Sequence, residues 1–424
     1  MYAQIVGSNL KYCNFFVIFG VMLKYVIAVL LTVVFSVPLT AQETAGTTDT
    51  TKHNKSHLRI SLLTCGPGLE IYETFGHSCI RIIDSTKTGR GRDLVYNYGF
   101  VESSADNTVL HQFLTGRVQT YLATNTIAEF NYQYSDEKRS VTEQVFLLGD
   151  KEKEQVQDFL KNNALYVNRY YEYSSAYDNC STRILGMFVT LFGNRFVPGQ
   201  VLPKGYKLRM RELTASYRPL DKQHKYWFAL AMEIFYGCRA NSVASNMDAM
   251  YLADYLSDGM AGATLDGKKL CTDKSTIFEE KISWPSGPDW PFIVFLIVLV
   301  LTVSGFLVKR LRVLGALMMT LLLLVTGGLG CYLLYFMVAN VEPGWKDNFN
   351  LLWALPTNLI IPFCSPRIKA RYSVAAMFLI ILAVLVSILR VQELPLFEIG
   401  SILLALIFVY GILYRKSIDK IKSK

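Results

Sequence analysis

Histidine is scarce in this chain, with five copies in 424 residues. His53 and His57 lie in a polar stretch near the start, while His77, His111 and His224 stand far apart. There is no CxxC and no HExxH, so no zinc set is on offer and no metal is expected. Charge is sparse as well. Charged residues make up 18% of the chain against 51% hydrophobic ones, and the last third contains long stretches with none. That excludes an ordinary soluble domain for the whole chain. A net charge of +9 suggests nucleic acid, but the excess sits in Lys309, Arg310 and Arg312, in Arg367, Lys369 and Arg371, and in the tail from Arg415 to Lys424. Basic clusters beside apolar runs are a topology signal, and nucleic acid is not expected as a partner.

What is present is a membrane pattern. Apolar runs at 291–308, 313–338, 374–389 and 396–413 approach or exceed the length that crosses about 30 Å of hydrocarbon. A fifth, 349–364 (FNLLWALPTNLIIPFC), is shorter and interrupted by Pro356 and Asn358, as in a re-entrant segment. The basic clusters arbitrate, because they fall on one side of the membrane only if 349–364 crosses. Five spans within 291–414 are therefore expected, with a cytoplasmic tail at 415–424. Gly327, Gly328 and Gly330 in the second run permit close contacts. At the other end, 1–41 reads as a secretory signal peptide or an uncleaved anchor, and 42–57 as a flexible tether, so that 58–290 is an exported domain. Trp284 and Trp290 flank the first span, as interfacial tryptophans do.

Within 58–290 the pattern is mixed α+β. Strand signals occur at 58–63, 78–83 and 94–100, with an apolar and aromatic patch near 118–134. Helical signals occur at 150–163, where Val156, Phe159 and Leu160 share a face, and at 181–193, closed by Gly193. Two further stretches, 224–237 and 246–259, are amphipathic and rich in Met, Tyr and Phe; they either pack on the sheet or present aromatics to lipid.

Two residues stand where chemistry is possible. In YDNCSTRI, Asp178 or Asn179 is a good helix cap, which puts Cys180 in a first turn whose N–H groups and dipole favour a thiolate. His77, in ETFGHSCIRI, follows a glycine at the start of a strand. Together they would form a thiol dyad, with the imidazole as base and backbone N–H groups near Cys180 holding an oxyanion. The bland alternative is a satisfied core histidine and a buried structural cysteine. Cys65, Cys79, Cys238 and Cys271 accompany Cys180, and because five is odd, pairing leaves at least one thiol over.

The combination of LLTCGPGLEIYETFGHSCIRI, DLVYNYGF, YEYSSAYDNCSTRI, RELTASY and NFNLLWALPTNLIIPF resembles the Bacteroidota lipoprotein N-acyltransferase family, roughly over residues 58–415. The resemblance implies a circularly permuted papain-like (NlpC/P60-like) thiol domain, similar also to lecithin:retinol acyltransferases, followed by an all-α bundle of five spans in the bacterial inner membrane. It implies His77 and Cys180 as catalytic residues but does not fix a third; Asn97, which sits in the next strand signal, or Glu73 is expected to orient the imidazole. Asn179, Asp178 and Arg183 are expected around the thiol, Arg183 pairing with either a donor phosphate or Asp178. Gly76, Tyr98, Arg211 and Glu212 are expected behind them, and Trp345, Asn348 and Asn350 either at a substrate mouth or in an ordinary interfacial loop. The implied partners are a membrane phospholipid as acyl donor and diacylated lipoproteins as acceptors, with no cofactor. The rivals are a periplasmic cell-wall cysteine peptidase or amidase using the same dyad, and a non-enzymatic membrane assembly protein.

Overall fold

The computed structural model describes residues 57–68, 70–101, 112, 115–214, 217, 225–280 and 288–423. The expectations for 1–41, for nearly all of the tether, and for His53, His111, His224 and Trp284 lie outside the described residues.

Seven strands form one antiparallel sheet: β1 (Leu58–Cys65), β2 (His77–Asp84), β3 (Asp93–Val101), β4 (Val118–Thr126), β5 (Val141–Val145), β6 (Tyr170–Tyr173) and β7 (Ser275–Phe278). Their order is β7-β5-β1-β2-β3-β4-β6. The longer helices of this domain, among the described residues, are α1 (Ile127–Asp136), α2 (Asp150–Ala164), α3 (Cys180–Phe192), α4 (Lys225–Phe235) and α5 (Ala253–Ala261). Successive side chains of a strand point to opposite faces. Ile60, Leu62, Ile80, Ile82, Tyr96 and Tyr98 accordingly line one face, under Val156 and Leu160 of α2 and Ile184 and Phe188 of α3. Leu63, Cys65, Cys79 and Val95 line the other, under Phe130 and Tyr134 of α1.

The stripe on α3 aims the cysteine. Cys180, Ile184, Phe188 and Phe192 recur at four-residue spacing, and all four are buried. Burial of side chains the size of Ile184 and Phe188 is worth about 1.5–3 kcal/mol each. Both are fully buried, so they hold the helix against the sheet and carry Cys180 inward with them. The two aromatic-rich stretches divide their roles. Leu256 and Met260 of α5 join the sheet core, whereas Leu230 and Ile234 of α4 pack with the long apolar helices. Trp227 of α4 meets Phe295 edge-on at 5.8 Å.

Among the described residues, four helices are long and apolar enough to cross a membrane: α6 (Trp290–Leu307), α7 (Arg312–Ala339), α8 (Pro366–Ile388) and α9 (Leu396–Lys422). The fifth apolar run departs from the all-helical expectation. Residues 349–364 form three short 3-10 turns, Phe349–Leu352, Pro356–Leu359 and Ile361–Phe363. Pro356 and Pro362 have no N–H to donate to a helix ladder, which breaks the run. The segment lies directly on α7, where a Cβ on Gly330 would come within 2.1 Å of the Ala354 carbonyl oxygen. Gly327 meets Leu359 in the same way, while Gly328 faces open space. The Asn358 amide is hydrogen-bonded through both its nitrogen and its oxygen in this seam. It donates to Thr326 Oγ1 at 2.9 Å and accepts from the hydroxyls of Tyr372 at 2.7 Å and Tyr410 at 2.8 Å. A buried amide without such partners would cost several kcal/mol, roughly 2–7.

Candidate active site

The site is built at the start of β2. The chain leaves a 3-10 turn at Ile71–Glu73 and must reverse into the strand, and it does so at Gly76, with φ of +72°. A Cβ there would also lie 2.8 Å from the Cys65 carbonyl oxygen, so glycine is required immediately before the histidine. His77 then opens β2 directly opposite Cys65. From β3, Asn97 places its Oδ1 2.5 Å from His77 Nε2. An amide oxygen accepts, so Nε2 carries a proton and Nδ1 is left to serve the sulfur.

Cys180 arrives from the opposite side. Asn179 caps α3, its Oδ1 accepting from the Thr182 N–H at 2.9 Å, and its amide nitrogen donates to the carbonyls of Ser175 and Tyr251. Ser181 Oγ lies 3.0 Å from Ser78 Oγ, which pins the first turn of α3 to β2. The Cys180 and His77 side chains come together closely enough for each to act on the charge of the other. Burial alone would push the thiol up. The imidazolium charge and its hydrogen bond, with the Ser78 N–H and the Ser181 hydroxyl, overcome burial and bring Cys180 down to about 7. Burial alone would likewise push the imidazole down, but the thiolate charge and hydrogen bond, helped by Asn97, raise His77 to about 9. Between those two values the pair exists as thiolate and imidazolium, the state that attacks a carbonyl and has a proton ready for the leaving group. Cys65 also faces His77, but it is fully buried beneath α1, whereas Cys180 keeps 6% exposure. No disulfide forms among the described cysteines.

The other expected residues find different partners. Glu73 is buried 3.9 Å from Arg139 and accepts the Glu70 N–H at 3.1 Å. Burial raises its carboxyl against the pull of that N–H and of Arg139. The group bonded to the imidazole is Asn97. Arg183 closes a two-bond pair with Asp178, at 2.6 and 2.8 Å, and lies 3.6 Å over the Tyr171 ring. Tyr98 packs edge-on against Tyr171. Arg211 is buried between Glu233 of α4 and the Glu393 carbonyl after α8, and Glu212 accepts the Arg209 N–H. Asn348 and Asn350 are buried and donate to carbonyls at the end of α4, while Trp345 packs on Phe235, Tyr236 and Phe336. These three side chains hold the loop that leads out of α7 against the end of α4.

Sequence reasoning missed the tyrosines of β6. Tyr171 and Tyr173 are held well above the usual phenol range by burial first, and then by the neighbouring thiolate, so both stay protonated beside the sulfur. The aromatic alternation in YYEY was the available signal for a strand there.

Two domain families match the chain. Residues 47–197 match the Lnb N-terminal periplasmic domain, and residues 285–421 match the Lnb transmembrane domain. The chain belongs to the Lnb lipoprotein N-acyltransferase family. No curated protein and no solved structure matches it. Both key residues of this Lnb protein, His77 and Cys180, fall within the first matched domain. Membership makes it a multi-pass inner-membrane protein of lipoprotein processing, with the sheet domain in the periplasm.

Proposed function

We propose that this protein moves an acyl chain from a membrane phospholipid to the N-terminal amine of a diacylglyceryl-cysteine lipoprotein, through a thioester on Cys180. The observation that carries this reading is the placement of Cys180 in the first turn of a helix pinned to the strand of His77, whose imidazole Asn97 braces, in a domain joined to membrane helices. The thiolate attacks the ester carbonyl, a C–S bond forms, the C–O bond breaks, and the lysophospholipid oxygen leaves with the proton of His77. The neutral amine then attacks the thioester, a C–N bond forms, the C–S bond breaks, and the amine proton passes to His77 as the thiolate is restored. The N–H groups at the start of α3 face the carbonyl oxygen as it gains charge. Asn97 keeps the imidazole turned toward the sulfur. The order of a histidine strand before a cysteine helix suits a circularly permuted papain-like domain.

The test is direct. Full-length protein mixed with phospholipid vesicles should gain the mass of one acyl chain on the peptide carrying Cys180, labile to neutral hydroxylamine. Adding a diacylglyceryl-cysteine peptide should clear that mass and return the same chain as an amide on the peptide. Protein that gains no mass from phospholipid but cleaves cell-wall peptides would instead be the peptidase.

The same reading includes five crossings, with the C-terminus in the cytoplasm. Gln392, just after α8, bonds to the Phe349 N–H at 2.7 Å and to Asn348 at 3.0 Å, so α8 ends level with the start of 349–364. Its N-cap, Ser365, directly follows the end of that segment. A helix of 23 residues is about 35 Å long. Sixteen residues at the 3-10 rise of about 2 Å cover a similar distance. Non-helical backbone at membrane depth is tolerated where protein buries it, as α7 does here. A reporter active only in the periplasm should be silent when fused at Lys424; a signal there would remove the fifth crossing.

A further inference from the structure

We infer that Glu342, on the loop leaving α7, is a positioning residue that holds the nucleophile loop in register, so that the membrane bundle itself completes the thiol site. The inference rests on the Cys180–His77 pair and not on the identity of the acyl donor or acceptor. Glu342 is only 6% exposed. One carboxylate oxygen accepts from the Ser175 N–H at 2.6 Å and the other from Ser174 Oγ at 2.7 Å. Ser174 and Asp178 exchange two backbone bonds, the Ser174 N–H donating to the Asp178 carbonyl at 3.0 Å and the Asp178 N–H to the Ser174 carbonyl at 3.2 Å. The Ser175 carbonyl accepts from the Asn179 amide at 2.8 Å. Residues 174–179 thus form a closed loop that ends on the cap of α3, and Glu342 grips its far side.

The gripping arm is itself braced. The Glu342 N–H donates to Asn340 Oδ1 at 2.8 Å, and the Val341 N–H donates to the Thr115 carbonyl at 3.0 Å. Asn340 seats against Gly116, where a Cβ would come within 2.4 Å of its Oδ1. A carboxylate buried on two short donors holds those donors more firmly than a neutral acceptor would. Among the described residues no cation is paired with it within salt-bridge distance. Burial therefore raises its carboxyl against the lowering effect of Ser174 and Ser175. A buried carboxylate without a countercharge is costly to keep for packing alone.

The test uses full-length protein in membrane-mimicking discs and follows alkylation of Cys180 by iodoacetamide across pH. Glu342→Ala should slow alkylation at pH 7 about tenfold and move its midpoint upward, the size expected for two lost charge-assisted bonds that order the loop. Glu342→Gln keeps the shape and one acceptor for the Ser175 N–H, while its amide N–H meets the Ser174 oxygen in place of the second acceptor, and it should stay within about threefold of the parent. Charge alone predicts the opposite sign, since removing a negative group near a thiolate lowers its midpoint. A Glu342→Ala protein with an unchanged or lowered midpoint overturns the inference. If Glu342→Ala does not fold, Ser174→Ala removes one of the two bonds and should give an intermediate slowing; parental behaviour there overturns it equally. None of these readouts requires acyl transfer, so a failed transfer assay leaves the result standing.

Discussion

Cells whose only copy carries Cys180→Ala are expected to accumulate diacylated lipoproteins with a free N-terminal amine, and the N-acylated product should disappear. The reason is that the thioester has one bearer in the proposed route. Removing the nucleophile of a covalent mechanism costs on the order of 10⁵-fold or more in turnover. Loss of the fold does not account for such an effect. Cys180 sits at the first helical position, Ile184 and Phe188 keep the helix seated, and the Asn179 cap is untouched by the change. Deleting one sulfur from that edge of the core costs roughly the 1 kcal/mol of a small buried group. Cys180→Ser should be almost as inactive, because a hydroxyl in the same buried setting stays protonated and leaves the imidazole without the thiolate that raised it. Mass analysis of lipoprotein N-termini decides the matter. An N-acylated product that persists in the Cys180→Ala strain would remove the acyltransferase reading altogether.

How much of this was legible beforehand follows from which forces act locally. The cap, the apolar run closed by Gly193 and the glycine before His77 are short-range signals, and they placed α3 and β2 correctly to within a residue or two. Strands β5 and β6 were not anticipated. VTEQV and YYEY are short and polar at alternate positions, and they become strands because β1 and β4 offer edges to pair with. Asn97 had a place in the next strand signal and Glu73 had none, but the choice stayed open until the sheet register set Asn97 on the strand beside β2 and turned Glu73 to Arg139. Residues 349–364 carried the right hydrophobicity, but two prolines made 3-10 turns of an expected helix. Glu342 lies 162 residues beyond Cys180 in a loop between apolar runs, and no local pattern connects it to Ser174. Asn348 and Asn350 looked like an aqueous mouth because asparagine between spans usually meets water, whereas here both are spent on the carbonyls of α4.

His77→Gln should change the pH dependence of Cys180 in a direction that separates an ion-pair partner from a mere neighbour. In the parent protein the thiol titrates near 7, so at pH 7 about half of it is thiolate. The largest influence on Cys180 is burial, which raises it, and the imidazolium is the main opposing force. Glutamine keeps a side chain able to bond to Asn97 but brings no charge, so burial is left largely unopposed and the midpoint should return to 9.0 or above. At pH 7 the thiolate then falls to about 1% or less, and alkylation should slow by roughly 50-fold or more. The upper limb carries independent information. Parent acyl transfer should rise through about 7 as the thiol ionises and decline above about 9 as His77 loses the proton its leaving group needs. In His77→Gln the rising limb moves to 9 or beyond and the declining limb, having lost its acid, vanishes. Asn97→Ala acts only through the imidazole and should displace both limbs by less. A His77→Gln protein whose thiol still titrates near 7 would show that the helix N-terminus and the Ser78 N–H suffice to hold the thiolate, and would take the imidazole out of the proposed mechanism.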